Sequence, residues 1–515
     1  MLDTVAVYLF YALTSIVLSV VAYRILFHPL SKYPGPSLGK VTDAYAGVVA
    51  AQRRLHLLAY QSHQKHGSVV RIAPNRILFN IATAFRAIYQ DDDRITKASI
   101  YELITRNGVY SVFNTLDRDL HRAKRKVVAQ AFSDRATRSF TPALLPHIDI
   151  CLRQFLESSG RPVNMTQQMS HLAIDVVGKL ALGYDLDTQT SEENRFFTRA
   201  LSLGFFVSNI SLHFPAFHKV HTNSVFDYIF WETREKFTRL LEKMVQSRLA
   251  LDAHALPDLF SFVTEGLPSE AAKTRDSAIW KEAMVFLVAG GDTVATAMTS
   301  IFFYLSRNPA CYSRLADEIR STFLSGREIT SGPRLASCHY LRACIDEALR
   351  MTPPISANLW RKQIAADKEP LFIDGHFIPR GTLFGVNVYA LSHNADIFPE
   401  PFAFKPDRWL GADTGTEGGP RKPMLEAFAS FSIGPRNCVG KPLAYLETSI
   451  IVAKTLWYFD FEPAPGLLGT IGEATDRGRP QEFCTYDGFN SSHDGPYLVF
   501  TKRGVSLEKD ADRSN

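Results

Sequence analysis

From Val5 to Tyr23 the chain reads VAVYLFYALTSIVLSVVAY, nineteen residues without a charge. As a helix this run reaches about 30 Å, the depth of a bilayer's hydrocarbon core, and a helix satisfies every backbone donor and acceptor there. A secretory signal would carry positive charge in front and a small-residue cleavage site behind. Here Asp3 precedes the run, and Arg24, Lys32 and Lys40 follow it. Those cations belong on the cytosolic side, so the run is expected to be a single-pass anchor with the rest of the chain in the cytosol. Next comes HPLSKYPGP, residues 28–36, whose three prolines forbid a continuing helix and stiffen the connection. The expected division is a transmembrane anchor over residues 1–23, a proline-rich linker over 24–45 and one large domain over 46–515.

The 57 Lys and Arg residues against 52 Asp and Glu leave a formal charge of only +5. A nucleic-acid binder usually gathers a larger basic excess on one face, so no nucleic-acid partner is expected. With 46% apolar residues the chain is not disordered, and its 36 Phe residues can fill a large interior. The cysteines, Cys151, Cys311, Cys338, Cys344, Cys438 and Cys484, include no C-x-x-C pair, which suits a reducing compartment. Apolar residues recur at helical intervals over Leu116–Phe132, Phe140–Glu157, Thr166–Ala181, Ser224–Leu251, Asp276–Arg307 and Leu341–Met351. Strands are predicted over Ser68–Ile72 and Ile77–Phe79, over Leu371–Ile378 around Asp374-Gly375, and over Tyr497–Lys502. The fold class is therefore mainly α with a minor β region.

Residues 431–440 read FSIGPRNCVG. A thiolate at Cys438 is a soft, strongly donating ligand suited to iron, stable where N–H groups bond it and apolar groups screen it. Gly434 and Gly440 let the backbone turn tightly and bring its N–H groups toward the sulfur. Phe431 can shield the sulfur, and Arg436 can hold an anionic group of a bound ligand. The run from Lys441 to Glu447 reads as a helix start with Pro in its first turn, whose positive end would face the thiolate. A buried free cysteine is the other reading, and it is adopted for the remaining five.

The segment fits every fixed position of F-x-x-G-x-R-x-C-x-G, the haem-binding pattern of the cytochrome P-450 superfamily, and the chain resembles that superfamily in further motifs. Glu347-Ala348-Leu349-Arg350 resembles the E-x-x-R motif, whose two charges share a helix face. Pro406-Asp407-Arg408-Trp409 is similar to the P-E-R-F segment, with Asp407 and Trp409 departing from its commonest form. His121 and Arg125 resemble the W-x-x-x-R pair, with His in place of Trp. The resemblance implies the cytochrome P-450 fold and haem b (iron protoporphyrin IX), with Cys438 as axial thiolate and metal ligand. It further implies His121, Arg125 and Arg361 as partners of the haem propionates, and Glu347, Arg350 and Arg408 as a structural lock. The stripe Arg118, Arg122 and Lys126 is either solvated charge or a surface that steers an acidic redox partner.

Ala289-Gly290-Gly291-Asp292-Thr293 interrupts an apolar helical stretch. Each glycine costs about 1 kcal/mol relative to Ala in a helix, and the pair beside Asp and Thr predicts a loosened backbone and a groove next to a cofactor. A close helix–helix contact through small residues is the alternative. The segment resembles the superfamily's [A/G]-G-x-[D/E]-T motif. By that likeness Thr293 donates a hydrogen bond to dioxygen and Asp292 relays protons, while Val294 stands where many members carry a second hydroxyl.

The resemblance implies a monooxygenase in the endoplasmic reticulum membrane with its catalytic domain, residues 46–515, facing the cytosol. Its implied partners are dioxygen, NADPH–cytochrome P-450 reductase, cytochrome b5 and a hydrophobic small molecule. Substrate choice is implied in residues 100–113, 201–212, 285–289 and 354–359. There Phe205, Phe206, Phe286, Ala289, Ile355 and Leu359 suggest an apolar pocket, although core packing explains each aromatic equally well. HPLSKYPGP and FNTLDRDLHRAKRK most resemble fungal microsomal members, many of which tailor terpenoid, polyketide or alkaloid skeletons. Two alternatives stand: a haem-thiolate isomerase or dehydratase that does not use dioxygen, and a non-catalytic haem-binding carrier or sensor. Asp292 and Thr293 argue against both.

Overall fold

The uncharged N-terminal run forms helix α1, Leu2–Ala22, and continues as a π-helical turn over Tyr23–Phe27, past the expected boundary at residue 23. The computed structural model describes residues 2–104, 110–219, 231–251, 255–256, 258–264, 278–411 and 421–504. Two described stretches, Asp3–Phe27 and Lys281–Arg307, are long and apolar enough to cross a membrane. The second is mostly buried within the protein, as a core helix is, whereas the apolar window of the first is wholly unburied and only its C-terminal end, at Arg24, meets the domain. The expected linker is not a free spacer. Leu30 and Tyr33 are buried, the Arg71 backbone N–H donates to Pro34 O at 2.7 Å, and Arg71 Nη1 donates to Arg24 O at 2.7 Å. Short helices Ser37–Val41 and Asp43–Ala51 begin before residue 46. The prolines stop α1, and the apolar side chains between them then dock on the domain.

The predicted helices appear with shifts of a few residues at their ends. Among those that position the site, α2 is Ala82–Gln90, α3 Arg118–Gln130, α4 Met165–Leu182, α5 Phe196–His213, α6 Ala278–Arg307, α7 His339–Met351 and α8 Lys441–Tyr458. Asp117 caps α3 by accepting from Leu120 N at 2.7 Å, and Asn164 caps α4 by accepting from Gln167 N at 3.2 Å. Residues 224–230 and 276–277 of two predicted helices, and 105–109 of the expected 100–113 segment, lie outside the described residues. Helices α2 and α5 were not predicted. In α5 aromatic and aliphatic residues follow one another around most of the circumference, which hides the 3.6-residue period.

A five-stranded sheet has the order β1-β2-β8-β5-β3, from Val69–Ala73, Arg76–Phe79, Leu383–Val386, Arg361–Gln363 and Ile95–Lys97. Only β2 and β8 pair in parallel. Its last pairing matters for the site, because it sets Lys97 opposite Arg361. The predicted Leu371–Ile378 hairpin forms as β6 and β7, Leu371–Ile373 and His376–Ile378. A further hairpin joins β12 and β13, Tyr486–Gly488 and Asn490–Ser492, through Phe489, whose φ of 82° is unusual for a bulky residue.

Helix α6 runs unbroken through Gly290 and Gly291, so the expected loosening does not occur. A Cβ on Gly290 would stand 2.6 Å from Val177 Cγ2, and one on Gly291 would stand 2.5 Å from Ile174 Cδ1. The glycines therefore serve close packing of α6 on α4, the alternative reading, and the backbone hydrogen bonds stay intact because nothing intrudes between the turns. Gly291→Leu should cost about 1–3 kcal/mol of stability through overpacking, read as a lower denaturation midpoint. Ile174→Ala in the same chain should return part of that loss.

Candidate active site

The Cys438 loop is held from both sides. Gly434 has φ +71°, and a Cβ there would collide with the Tyr89 carbonyl oxygen at the end of α2. Residues Gly434–Arg436 make a single 3-10 turn, after which Cys438 N donates to Phe431 O at 2.8 Å. Gly440 differs from expectation: its φ is −76°, and a Cβ would sit 3.8 Å from Phe132 and 3.9 Å from Cys438 Sγ, which is ordinary contact. Of the six cysteines only Cys438 has an exposed side chain. Burial of the sulfur pushes the thiol up, opposed by the backbone N–H groups of Gly440 and Lys441 and by the charge of Arg125. Those N–H groups are the free donors at the start of α8, so the expected positive helix end does face the sulfur. Phe431 packs on Tyr445 at 5.1 Å between ring centroids.

Beside this loop the structure gathers Lys97, His121, Arg125, Arg361 and Arg436. Arg125 grips Asn437, donating to its backbone and side-chain oxygens at 2.5 Å each, which ties α3 to the residue before the cysteine. Arg436 donates to the carbonyls of Thr115 and Leu116, while its buried Nε has no hydrogen-bond partner among the described residues and lies 3.9 Å from Asp92. Burial lowers the Arg436 pKa to about 10, partly offset by Asp92. His121 is buried and pushed down to about 3 by burial and by Arg436, Lys97, Arg125 and Arg361, so it is neutral. Arg361 is buried, donates to Trp360 O at 3.1 Å and stacks over Tyr89 at 4.6 Å. Lys97, which the sequence analysis did not single out, is buried with Nζ donating to Phe113 O. Burial, Arg361 and Arg436 drive its pKa well below the ordinary lysine value. So many buried cationic groups, with Asp92 and more weakly Asp117 as the carboxylates acting on Arg436, are unstable without an anion. The residues fit a haem: a sulfur facing open space, and an unbalanced cationic nest with an orphaned guanidinium N–H for its propionates.

Glu347 and Arg350 are fully buried and paired twice at 2.9 Å, and Arg408 Nε adds a third ionic contact at 3.0 Å. Trp409, one of the departures from the family segment, donates its indole N–H to Glu347 at 2.9 Å. Asp407, the other departure, pairs instead with Arg314 at 2.6 Å. On α6, Thr293 Oγ1 donates to Ala289 O at 2.7 Å and Ala289 is exposed, so this face borders open space. Asp292, on the neighbouring face, is pushed up to about 6 by burial, with the Asn490 amide opposing the rise. Val294 is buried in the core.

The six expected pocket residues do not converge. Phe205 and Ile355 share one cluster with Phe113 and Phe489, and Phe205 stacks on Phe489 at 6.1 Å with rings nearly parallel. Phe206 turns to a separate cluster with Ala46 and Leu55 and lies 4.8 Å beneath Arg53. Phe286 packs on Phe132 at 6.1 Å in the helical core, and Leu359 packs against the sheet-side cluster. Adjacent helical residues point about 100° apart, so Phe205 and Phe206 cannot both face one cavity. Along the charged stripe, Arg118 bonds Asp93, Arg122 lies 3.6 Å from Asp119, and Lys126 is exposed.

A cysteine open to space at a helix N-terminus, beside an anion-demanding cationic nest, defines a cysteine-ligated haem enzyme. The cytochrome P-450 family model matches residues 33–468, and the chain belongs to that family. It is 33% identical to the cytochrome P-450 monooxygenase AKT7 of Alternaria alternata, over 94% of this chain and 95% of that one. It is 35% identical to the monooxygenase poxM of Penicillium oxalicum over 87% of each chain. To apf7 of Gibberella fujikuroi it is 32% identical over 96% of this chain and 97% of that one. The protein is thus a cytochrome P-450 monooxygenase with a cysteine-thiolate haem. The contrast between the two loop glycines is testable by haem content per folded chain: Gly434→Ala should lose haem, and Gly440→Ala should keep it.

Proposed function

We propose that this chain is a membrane-anchored monooxygenase that oxidises a hydrophobic small molecule, an intermediate of fungal secondary metabolism of the terpenoid, polyketide or alkaloid class. Electrons come from NADPH through cytochrome P-450 reductase, with cytochrome b5 as an auxiliary donor. The anchor is α1 with its π-helical extension to Phe27, in the endoplasmic reticulum membrane with the catalytic domain in the cytosol. The cations Arg24, Lys32 and Lys40 beyond the apolar run support that orientation. Relatives from filamentous fungi support the substrate class, as does the aromatic cluster of Phe113, Phe205 and Phe489.

The observation that carries the reading is Cys438 placed between the N–H groups of α8 and the cationic nest. When bound, haem supplies dioxygen activation and transfer of one oxygen atom into the substrate. Cys438 would hold its iron through the sulfur, whose anionic form Gly440, Lys441 and Arg125 favour. Lys97, Arg361 and the Nε of Arg436 would hold the propionates, with neutral His121 as a further hydrogen-bonding group. Glu347, Arg350 and Arg408 brace the loop without touching the reaction. The Thr293 hydroxyl, held at Ala289 O, rotates to donate into the open space, and Asp292 with a pKa of about 6 exists in both protonation forms near neutrality.

The reduced protein with carbon monoxide should show a strongly red-shifted Soret band that Cys438→Ser abolishes; a band typical of histidine ligation in the unsubstituted protein would refute the assignment. Thr293→Ala should keep that band while product formed per NADPH falls about tenfold, as loss of a positioned proton donor requires. Arg122→Glu with Lys126→Glu should slow reductase-supported turnover severalfold at low ionic strength and little at high salt. Unchanged turnover at low salt would leave that stripe as solvated charge.

A further inference from the structure

Behind Asp292 lies a partly open cavity of about 110 Å³ between α4, α5, α6 and the β12–β13 hairpin, with several polar side chains in its lining. That volume has room for several waters. Asp292 and Thr296 face it from α6, Thr166 from α4, and Asn490 and His493 from the hairpin and its exit, with Arg53 at its edge. Asn490 is buried, and its Nδ2 has no hydrogen bond of good geometry to any described residue, although the amide stands close enough to oppose the rise in the Asp292 pKa. A donor with that spare capacity, in a space of this size among other polar side chains, is where an ordered water binds.

The tautomer of His493 follows from its neighbours. Thr166 Oγ1 gives its single proton to Gly495 O at 2.6 Å, so it must accept from His493 Nδ1 at 2.7 Å. Nε2 is then a bare acceptor, 3.2 Å from Thr296 Oγ1, which is itself 2.9 Å from Asp292 O. Burial holds this imidazole down to about 4, so it stays neutral and keeps that acceptor at physiological pH. The cavity thus offers an unsatisfied donor and a bare acceptor beside one buried carboxyl.

We propose that this cavity is the water port through which the Asp292 carboxyl is recharged with protons, and that Asn490 and His493 are its positioning residues. The inference rests on Asp292 as the proton relay and extends it by assigning the route. Asp292 gives up its O–H proton toward Thr293. A cavity water then breaks one O–H bond to restore the carboxyl, and the hydroxide left behind takes a proton passed inward from solvent along the next water. The net change is one proton taken up, with no electron moved. The titratable groups facing the cavity among the described residues are Arg53 from the turn after the Asp43–Ala51 helix, Asp292 from α6 and His493 after β13. Thr166, Ser170, Ser202, Thr296, Asn490 and the hairpin serines are polar and uncharged.

The test uses the full chain with haem and the variants Asn490→Leu and His493→Phe. The infrared carbonyl band of protonated Asp292, identified by its loss in Asp292→Asn, is titrated in the resting ferric protein. In parallel, product per NADPH, peroxide release and the solvent deuterium isotope effect are measured. The port predicts that Asn490→Leu raises the Asp292 midpoint, because the opposing amide is gone. It also predicts that both variants lower product per NADPH by about threefold or more with a larger solvent isotope effect. The reduced carbon monoxide band should stay in place. An unchanged midpoint with unchanged coupling and isotope effect overturns the proposal. If a variant disturbs the carbon monoxide band, Thr296→Val, which preserves shape and leaves the Asn490 amide in place, replaces it under the coupling and isotope-effect criteria. Absence of the thiolate band in the unsubstituted protein would count against the haem assignment, whereas normal coupling and isotope effects in variants that keep that band would count against the port alone.

Discussion

The Glu347 carboxylate, fully buried, accepts from five donors: Arg350 twice, Arg408, the Trp409 indole and the Lys405 backbone N–H. Burial alone would raise this carboxyl, but Arg350 and Arg408 hold it below its ordinary value, so it stays charged. Removing one partner from such a buried ionic cluster typically costs about 3–5 kcal/mol, because the charge left behind is uncompensated. The consequence is positional. Arg350 also donates to Ser392 O and Pro401 O at 2.8 Å, and Ser430 Oγ donates to Leu349 O at 2.8 Å. Helix α7 thereby fixes both the irregular chain leading to the cysteine loop and the residue just before the loop begins.

Two groups of buried charge in this protein differ in their balance, and the difference separates scaffold from site. Around Glu347 every charge meets an opposite charge at hydrogen-bond distance. Around Arg436 the guanidinium and ammonium groups lie among carbonyl oxygens, one half-buried carboxylate and one another. Carbonyls satisfy N–H donors but do not neutralise charge, so burial and then the neighbouring cations drive Lys97 and His121 down in pKa. A fold that accepts that cost has an anion to place there. The first group holds the loop together, and the second waits for a dianionic ligand such as haem.

Much of this was legible in the sequence where chemistry compels local spacing. FSIGPRNCVG gave the cysteine and its turn, the three-residue interval of Glu347 and Arg350 gave one helix face, and uncharged length gave α1. What escaped depended on contacts between distant segments. Lys97 is unremarkable until β3 pairs with β5 and lays it against Arg361. Phe489 and Asn490 belong to a hairpin of two three-residue strands, too short for a period to show. Gly290 and Gly291 were attributed to a cofactor groove because their partners, Val177 and Ile174, stand more than a hundred residues away. The neighbours Phe205 and Phe206 look alike in sequence and part company only when α5 packs.

Helix α6 shows how these pieces combine. Its glycines press on α4, close enough that even a methyl group would make Val177 or Ile174 shift, which favours one axial rotation. With the rotation set, the faces of successive residues are assigned. Ala289 and Thr293, four apart, border the open space, whereas Asp292 and Thr296, also four apart, turn to the cavity by the hairpin. A looser glycine pair would let the helix roll and blur that division. The tight contact that first reads as mere packing is therefore what keeps the hydroxyl and the carboxyl on separate sides of one helix, one toward the chemistry and the other toward water.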